Sequence, residues 1–579
     1  MKHYSGKKRI DINQKSFAFT HRYDEDKFYE EKNLNKTSIF LTKINNRLIL
    51  ASLFFAAIFL AISIKLIEIN LFNQSENSTL IKSYTEARGN ILDRNNNPLT
   101  HNIKLANIRI NPNKIDNKSN FMMAVTEIFP ELDTNNLITR LNKSKSFYLK
   151  RNISNYYLQQ VYDIGETGIE IESSYLRKYP HKELVSHILG DVDIDNAGIA
   201  GIEKSYGAKL SQNIKNNNLV SSIDIQVQHA IRDELLNGID KYRALGASSI
   251  LMDINTGEII SMVSLPDYDP NKSYNSSDLK LFNKNTKGIY EFGSVMKTFT
   301  VAIGLEENKF DLNSKFPVPK SIKIGKDKIS DVHDTCDQSE CSVRDIFVKS
   351  SNVGTINMVR EIGSNLQQIY LGQLGFFDRV NLNIPELSTP KSPDPWSDVS
   401  TDSISYGYGL SISPLHLILA TATVLNGGYL IEPTFLKSVD KNKKDHIKVF
   451  SEETSENMRF LFSQVVADGT AKEAFFTSGN KHIIGGKTGT ARTFQAGKYS
   501  KDHKLTSFIS AFPIHKPEYI LLTVFDRPYC SLDGPCYAYA SWNAAKVARL
   551  TIDRISPILA INSQYKLKNN NLLINTSSQ

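Results

Sequence analysis

The chain has 579 residues, a formal net charge of +8 and a hydrophobic content of 40%. This length suffices for two or three domains, and the apolar content predicts a sizeable buried core. The basic residues are spread along the chain and form no concentrated stripe with interleaved aromatic residues, which argues against a nucleic-acid-binding protein.

An apolar run from Leu48 to Ile64 predicts a membrane anchor. At about 1.5 Å per residue, a helix over these 17 positions covers roughly 26 Å, slightly less than a bilayer core of about 30 Å. Lys65 can reach the interface, and apolar residues up to Ile69 lengthen the segment. We therefore predict a single transmembrane helix at residues 48–69. A cleaved signal peptide is the alternative, but no small-residue cleavage site follows the run.

The charges around this run predict its orientation. Lys43 and Arg47 precede it and Glu68 follows it, so the positive-inside rule places residues 1–47 in the cytoplasm and the remainder outside. Residues 1–47 are polar and charged without apolar periodicity, which predicts a mostly disordered tail.

Residues 70–220 are predicted to form a first, non-catalytic extracytoplasmic domain. A strand is expected at Leu105–Ile110 and a helix near Asn120–Ile128. His181 and His187 are its candidate functional residues, but without an acidic or cysteine partner pattern we expect a structural role for them. An Asn-rich stretch at 215–218 predicts the boundary to the next domain.

Residues 221–560 are predicted to form a mixed helix and strand domain, followed by a C-terminal tail at 561–579 whose end is frayed from Asn569. Ser413 is the expected N-cap of a helix that begins at Pro414 and ends before Gly427. The other expected elements are helices at Ile223–Leu236, Val343–Lys349 and Ser541–Ile555, and strands at Ala247–Met252, Ile259–Val263, Leu505–Phe512 and Tyr519–Phe525.

The candidate nucleophile is Ser294, which follows Gly293 at the predicted start of an apolar helix. Lys297 is three residues further on, so the two side chains are expected on one helix face. A serine hydroxyl needs a base to become a nucleophile, and burial together with the helix dipole lowers the pKa of a lysine. This spacing alone is a weak signal for acyl transfer.

Two further motifs follow in order, Ser350-Ser351-Asn352 and Lys487-Thr488-Gly489-Thr490. S-x-x-K, S-x-N and K-T-G together are typical of serine acyltransferases. Ser350 can pass a proton between Lys297 and a leaving amine, and Asn352 can hydrogen-bond a substrate backbone. Lys487 with the Thr488 and Thr490 hydroxyls can hold a carboxylate. The N–H groups of Ser294 and Thr490 are candidates for an oxyanion hole, and Gly486 and Gly489 are expected to let a substrate strand approach the backbone.

These motifs resemble those of the class B penicillin-binding proteins over most of the chain, from the anchor to about residue 555. The segment Arg88–Arg94 resembles the signature that follows their membrane anchor. The other matching segments are Arg177–Pro180, His187–Gly190, Gly201–Glu203, Asp253–Ile259 and Asp269–Asn271.

Within this family, four segments resemble the septal enzymes most, with the lateral-wall elongation enzymes as the alternative. They are Tyr290–Ser294, Ile329–His333, Ser350–Gly354 and Tyr406–Leu415. Phe292 departs from the family, because many members have proline before the Gly-Ser pair.

The resemblance implies an α/β (α+β) architecture. A transpeptidase domain of the serine β-lactamase-like fold, with a central antiparallel sheet flanked by helices, would follow an elongated pedestal domain and the transmembrane helix. It also implies a D,D-transpeptidase of the bacterial inner membrane with a periplasmic catalytic domain and no metal or organic cofactor. Implied partners are peptidoglycan stem peptides on lipid-linked or nascent glycan strands, a polytopic glycosyltransferase and other division proteins, with β-lactams as inhibitors.

Other functions share parts of this pattern. A β-lactamase has the same three motifs, but the anchor, the pedestal region and the length argue against it. A divisome scaffold with a relic site is disfavoured by the intact motifs. A β-lactam sensor is disfavoured because 47 polar residues are few for a folded signalling domain.

The four cysteines form two close pairs, Cys336 with Cys341 and Cys530 with Cys536. Disulfides within each pair are the simplest prediction for an extracytoplasmic region. Other connectivities remain open. A metal site of four thiolates is the alternative, although zinc sites more often use tighter spacing.

Overall fold

A computed structural model describes residues 52–65, 87–212, 217–332, 339–437, 447–474, 484–495, 497–529 and 538–575. The chain divides into two units, Met1–Ser83 and Tyr84–Gln579, and each is treated by itself. In the first unit a helix, α1, covers residues 52–65. Among the described residues, no helix is both long and apolar enough to span a bilayer. The predicted tail at 1–47 lies outside these ranges.

The second unit begins with a small domain around a three-stranded antiparallel sheet. Its strand order is β3-β2-β4, and it has a core of its own that includes Ile108, Phe121 and Phe129. The strand and the helix predicted here are confirmed. The elements are β1 (Ile91–Leu92), β2 (His101–Ile110), α2 (Lys118–Ile128), α3 (Thr134–Leu141), β3 (Phe147–Ile153), α4 (Asn155–Asp163), β4 (Ile169–Lys178), α5 (Ser186–Leu189), α6 (Gly201–Ser205), α7 (Gly207–Leu210) and β5 (Leu219–Val220).

A buried charge cluster joins three of the segments that resemble the class B family, namely Arg88–Arg94, Arg177–Pro180 and Gly201–Glu203. Both oxygens of Glu203 are paired: Arg88 Nη2 lies 2.9 Å from one and Arg177 Nε lies 2.6 Å from the other. The remaining guanidinium N–H groups donate to backbone and side-chain oxygens, including Arg177 to Gly89 O at 3.0 Å. Since removing one partner of such a cluster leaves a buried charge unpaired, these three residues depend on each other.

Two more contacts tie this domain to the following one. Arg94 forms an ion pair with Glu258 at 3.3 Å. Asn271 donates to Tyr179 O at 2.9 Å and accepts from Tyr179 N–H at 3.1 Å. Segments that are far apart in the sequence, and that were matched separately to the family, are therefore in direct contact. His187 is buried, its Nε2 lies 2.8 Å from Lys280 O, and burial lowers its pKa to about 4, which fits the structural role predicted for it.

The larger domain is built around a five-stranded antiparallel sheet in the order β12-β13-β14-β6-β7. Nearly every residue of β6, β7 and β14 is buried, so both faces of the sheet are covered by other elements. The helices α8, α14, α15 and α16 pack against its strands. This is the predicted central antiparallel sheet with flanking helices.

The strands predicted at Ala247–Met252 and Ile259–Val263 are confirmed as β6 and β7, which pair antiparallel as a hairpin. The elements of this domain begin with α8 (Ile225–Tyr242), β6 (Gly246–Asp253), β7 (Ile259–Leu265), α9 (Lys297–Glu306), β8 (Lys315–Pro317), β9 (Ile322–Ile324), β10 (Asp327–Ile329), β11 (Glu340–Ser342), α10 (Val343–Lys349), α11 (Asn352–Ile362) and α12 (Ser364–Gln373). They continue with α13 (Asp398–Tyr406), α14 (Pro414–Leu425), α15 (Glu452–Ala467), β12 (Gly485–Gln495), β13 (Lys498–Phe512), β14 (Tyr519–Asp526) and α16 (Ala544–Asn575).

Local signals predicted some helix ends well and others poorly. The helix α14 has the predicted bounds, and the Ser413 hydroxyl accepts from His416 N–H as its N-cap. The last helix was predicted to end at Ile555, but α16 continues past Pro557 to Asn575. The predicted frayed end from Asn569 is therefore helical up to Asn575, since no glycine or further proline interrupts it.

Cys341 is disulfide-bonded, and the other three cysteines lie outside the described residues. A disulfide at Cys341 is incompatible with a metal site that uses all four thiolates. The pairing within Cys336 and Cys341 stays a prediction.

Candidate active site

The candidate nucleophile lies on a tight turn held against the edge strand of the sheet. Gly293–Met296 forms one turn of 3-10 helix, and α9 begins at Lys297. The sequence predicted that this helix starts at Ser294, whereas the α-helix itself starts one 3-10 turn later, at Lys297. Because residues i and i+3 are aligned in a 3-10 turn, Ser294 and Lys297 still share one side. Gly293 has φ +56°, and a Cβ there would lie 2.6 Å from Thr490 O, so glycine is required.

The Lys297 amine is the centre of the site. It is fully buried and donates to Ser350 O at 2.6 Å and to Asn352 Oδ1 at 2.7 Å, and it lies 3.2 Å from Ser350 Oγ. The first two partners can only accept hydrogen bonds, whereas the hydroxyl can also donate. An ammonium group can donate to all three oxygens, whereas a neutral amine can donate to two of them and keeps one lone pair.

Burial lowers the pKa of Lys297 far below its usual value, and the nearby Lys487 amine lowers it further, while Asp331 raises it. Burial also lowers the pKa of Lys487, to about 7. Both effects have the same cause, because an ammonium group loses its hydration when it is enclosed. The site thus holds two buried amines with lowered pKa values, and Lys487 can exchange a proton near neutral pH.

The Ser350-Ser351-Asn352 motif forms the junction between α10 and α11. Ser350 adopts a left-handed conformation at the end of α10, with φ +62°, and Ser351 caps α11 by accepting from Gly354 N–H. The Asp331 carboxylate accepts from Asn352 N–H and Ser351 Oγ, each at 2.5 Å. Asp331 was not predicted as a site residue. It lies in the segment Ile329–His333, which resembles the septal enzymes.

The third motif brings a second lysine to the same hydroxyl. Lys487 is fully buried on β12, and its amine donates to Ser350 Oγ at 3.0 Å. Ser350 Oγ therefore lies between the amines of Lys297 and Lys487. The K-T-G motif is part of β12, an edge strand of the five-stranded sheet that was not among the predicted strands.

The residues predicted to bind substrate follow along that strand. The Thr488 hydroxyl lies 2.7 Å from the Thr470 hydroxyl, and the Thr490 hydroxyl accepts from Ala540 N–H at 3.2 Å. A Cβ at Gly489 would collide with Phe292 O in the nucleophile turn. Gly489 is therefore required for packing of the chain against itself. Thr470 gives no signal in the sequence.

The structure brings the predicted residues into one site. Lys297, Ser350, Asn352 and Lys487 are in direct contact, and the packing of Gly293 and Gly489 holds Ser294 next to the strand of Thr488 and Thr490. The lysines are fully buried, whereas Ser294, Ser350 and Asn352 are only half-buried. The hydroxyl and amide groups can thus meet a substrate from a cleft, while the amines act from behind them.

Comparison with known families and relatives agrees with this geometry. Residues 247–552 match the penicillin binding protein transpeptidase domain family, and residues 84–218 match the penicillin-binding protein dimerisation domain family. The chain is 27% identical over 489 residues to the probable peptidoglycan D,D-transpeptidase FtsI of Caulobacter vibrioides, covering 83% of each chain. It is 30% identical over 493 residues to peptidoglycan D,D-transpeptidase FtsI of Buchnera aphidicola, covering 76% of this chain and 82% of that one.

A relative with another role is similar to a comparable extent. Stage V sporulation protein D of Bacillus subtilis is 26% identical over 541 residues, covering 84% of this chain and 82% of that protein. Among solved structures, penicillin binding protein 3 of Mycobacterium tuberculosis in complex with aztreonam superposes with a TM-score of 0.63 at 22% identity, covering 81% of this chain and 96% of that one. With its transpeptidase and dimerisation domains, the chain belongs to the class B penicillin-binding proteins and is a serine-type peptidoglycan D,D-transpeptidase.

Proposed function

We propose that this transpeptidase cross-links stem peptides of the cell wall during cell division, with Ser294 as the nucleophile and Lys297 as its base. The observation that carries the site assignment is the buried Lys297 amine, which is hydrogen-bonded to Ser350 and Asn352 and lies one turn from Ser294. A neutral amine at this position has its lone pair available for a hydroxyl proton.

In the first half-reaction, Ser294 Oγ attacks the carbonyl carbon of the penultimate D-Ala of a donor stem. Lys297 takes the hydroxyl proton, and the peptide bond to the terminal D-Ala breaks. Ser350 Oγ passes a proton to the leaving amine, and Lys487 supplies its replacement through the 3.0 Å hydrogen bond. The acyl group remains on Ser294 as an ester.

In the second half-reaction, the amine of a neighbouring stem attacks this ester. The new amide bond forms, the Ser294 oxygen leaves and regains a proton from Lys297, and the amine proton passes to the lysine–serine network. The steps are the reverse of acylation with a different amine, so the same groups act in both halves.

The remaining residues of the site orient the substrate. The N–H groups of Ser294 and Thr490 stabilise the developing oxyanion, and Asn352 hydrogen-bonds the stem backbone. The Lys487 charge and the hydroxyls of Thr488 and Thr490 bind the terminal carboxylate, with Gly489 between them on the same strand. A β-lactam, which presents an amide and a carboxylate in the same relation, acylates Ser294 in place of the stem. One protein of this fold, penicillin binding protein 3 of Mycobacterium tuberculosis, has been solved with aztreonam and with ampicillin, which supports β-lactams as inhibitors.

Intact-mass measurement over time after addition of a penicillin tests the site, with Ser294→Ala as the paired variant. We expect a stable adduct on the wild type alone. An adduct on Ser294→Ala overturns the nucleophile assignment. An adduct on the wild type that disappears within minutes favours a β-lactamase, and the absence of any adduct on folded protein favours a scaffold.

The division role rests on the segments that resemble septal enzymes and on relatives that carry the name FtsI. The lateral-wall role is the alternative. A fluorescent fusion in dividing cells separates them, because a septal enzyme concentrates at midcell, whereas signal along the whole side wall contradicts the division role.

We further propose a single-pass anchor at 48–69 in the inner membrane, with the N-terminus in the cytoplasm and the catalytic domain in the periplasm. Exposed apolar side chains in α1, such as Phe55 and Phe59, support a lipid environment. Expected partners are a polytopic glycosyltransferase, other division proteins and glycan strands bearing stem peptides. Cysteine labelling of positions before and after the run, with a membrane-impermeant reagent, tests this orientation.

A further inference from the structure

One carboxylate near the site has no part in the reaction described above. Glu291 lies three residues before Ser294 and is half-buried. Its Oε1 accepts from Gly409 N–H at 2.6 Å and from the Tyr499 hydroxyl at 2.9 Å. Its Oε2 is buried and has no hydrogen-bond partner among the described residues. A buried carboxylate with one unsatisfied oxygen costs free energy, so stability alone does not explain it.

Glu291 connects three segments that meet around the nucleophile. The first is the nucleophile turn itself, and the second is the loop Gly407–Gly409, whose Gly407 O accepts from Gly293 N–H at 3.2 Å. A Cβ at Gly407 would collide with Gly293 O, so these two segments are in close backbone contact. The third is the β12–β13 hairpin, which carries Tyr499.

Aromatic rings hold the hairpin against the loop. The ring of Tyr499 makes edge contacts with Tyr408 at 5.3 Å and with Phe494 at 5.1 Å between centroids. The Tyr408 hydroxyl accepts from Arg492 N–H at 3.3 Å, two residues beyond Thr490 on β12. The position of β12 relative to the nucleophile turn is therefore determined partly through Glu291, Tyr499 and Tyr408.

We propose that Glu291 is a positioning residue that sets the distance between the two oxyanion donors, the N–H groups of Ser294 and Thr490. Each donor belongs to one of the segments that Glu291 joins, namely the nucleophile turn and β12. This inference rests on the proposed function, since it concerns the geometry around the oxygen of the attacked carbonyl.

The chemistry of the contacts explains why a carboxylate suits this role. Hydrogen bonds to an ionised acceptor are short and strong, and one oxygen that accepts from two segments fixes both. Displacement of a catalytic group by about 1 Å can cost on the order of a hundredfold in rate. A residue that touches no substrate can thus control the acylation rate.

Acylation kinetics of the full chain with a fluorescent penicillin test this role. The maximal acylation rate and the concentration for half-maximal rate are determined separately, after active-site titration. The variants are Glu291→Ala, Glu291→Gln and Tyr499→Phe, and Tyr156→Phe on the small domain, 73% exposed, is the matched control.

We expect Glu291→Ala to lower the maximal rate by about ten- to a hundredfold without changing the half-maximal concentration more than about threefold. Tyr499→Phe keeps its ring contacts, loses one hydrogen bond and should lose about three- to tenfold. Glu291→Gln, whose amide oxygen can accept the same bonds, should lie between the wild type and Glu291→Ala. The double variant Glu291→Ala/Tyr499→Phe should be no slower than Glu291→Ala alone, because both act through one contact.

The inference is overturned if both Glu291→Ala and Tyr499→Phe keep a maximal acylation rate within twofold of wild type. It is also overturned if the rate loss of the double variant equals the product of the two single-variant losses. If Glu291→Ala does not fold, Tyr499→Phe at the exposed end of the hairpin decides the question alone. Failure of the wild type to be acylated instead contradicts the proposed function, so the two failures are distinct.

Discussion

Two clusters of buried charged side chains, one at the joint between the domains and one in the active site, differ in how their charges are compensated. At the domain joint, Arg88 and Arg177 share Glu203, and every charge has an opposite partner within 2.9 Å. In the active site, Lys297 and Lys487 are fully buried around one serine hydroxyl, with hydrogen bonds mainly to neutral oxygens. The joint pairs its charges directly, whereas in the active site burial lowers the pKa values of both lysines. Buried charges that have an opposite partner stabilise the structure. Buried amines without one have lowered pKa values and are suited to proton transfer.

The largest expected effect is on the acylation rate, when the buried Lys297 amine is removed. Lys297→Met removes the proposed base while filling a similar volume, and should lower the acylation rate by about 10²- to 10⁴-fold. Stopped-flow acylation by penicillin measures this, with circular dichroism to confirm folding. A loss below tenfold in folded protein would mean that another group activates Ser294.

The matching change at the joint should affect stability instead. Glu203→Gln leaves two buried guanidinium groups without a counter-charge, and should lower the free energy of unfolding by about 3–5 kcal/mol. Urea denaturation with acylation of the remaining folded fraction separates the two effects. A normal stability would show that Arg88 and Arg177 are compensated by their carbonyl partners alone.

The low pKa of Lys487 predicts that the acylation rate depends on pH around neutrality. Since Lys487 has a pKa of about 7, it loses its positive charge, and with it the attraction for a carboxylate, as the pH rises through 7. The second-order acylation rate with a penicillin should therefore fall above pH 7. The penicillin methyl ester, which lacks the carboxylate charge, is the control. Its rate should decline less, because with this substrate Lys487 deprotonation removes only the proton supply to Ser350. Equal profiles would remove Lys487 from carboxylate binding.

A variant of Asp331 tests whether its carboxylate partly offsets the effect of burial on the Lys297 amine. Its carboxylate raises the pKa of Lys297, so Asp331→Asn should lower that pKa. Lys297 then stays neutral to lower pH, and the acid limb of the acylation profile should move to lower pH. An asparagine can still accept from the Asn352 N–H, which keeps the cap of α11. A shift to higher pH would contradict the electrostatic role.

The smallest effect is expected from a cap that belongs to neither cluster. Asp133 accepts from Asn135 and Asn136 N–H groups at the start of α3. Asp133→Ala should cost about 1 kcal/mol of stability and leave acylation unchanged. Thermal unfolding and penicillin acylation together check it, and a changed acylation rate would reveal coupling between the small domain and the site.

The sequence by itself determined the chemistry and the local structure. Three short motifs predicted the site residues, because acyl transfer needs a hydroxyl and its partners at short, fixed spacings. These residues are Ser294, Lys297, Ser350, Asn352 and Lys487. The bounds of α14 followed from its caps and apolar run, and α10 was predicted over Val343–Lys349, since these signals act within a few residues.

Only the tertiary structure decided which distant groups meet. Lys297 and Ser350 are 53 positions apart and Ser350 and Lys487 are 137 apart, and the chain between them contains no signal for those contacts. The Gly-rich edge strand, the Asp331 cap, the Thr470 contact and the Glu291 bridge to Tyr499 were equally hidden. Each depends on close approach of segments that are brought together by packing of the whole domain, and packing is not encoded in any local pattern.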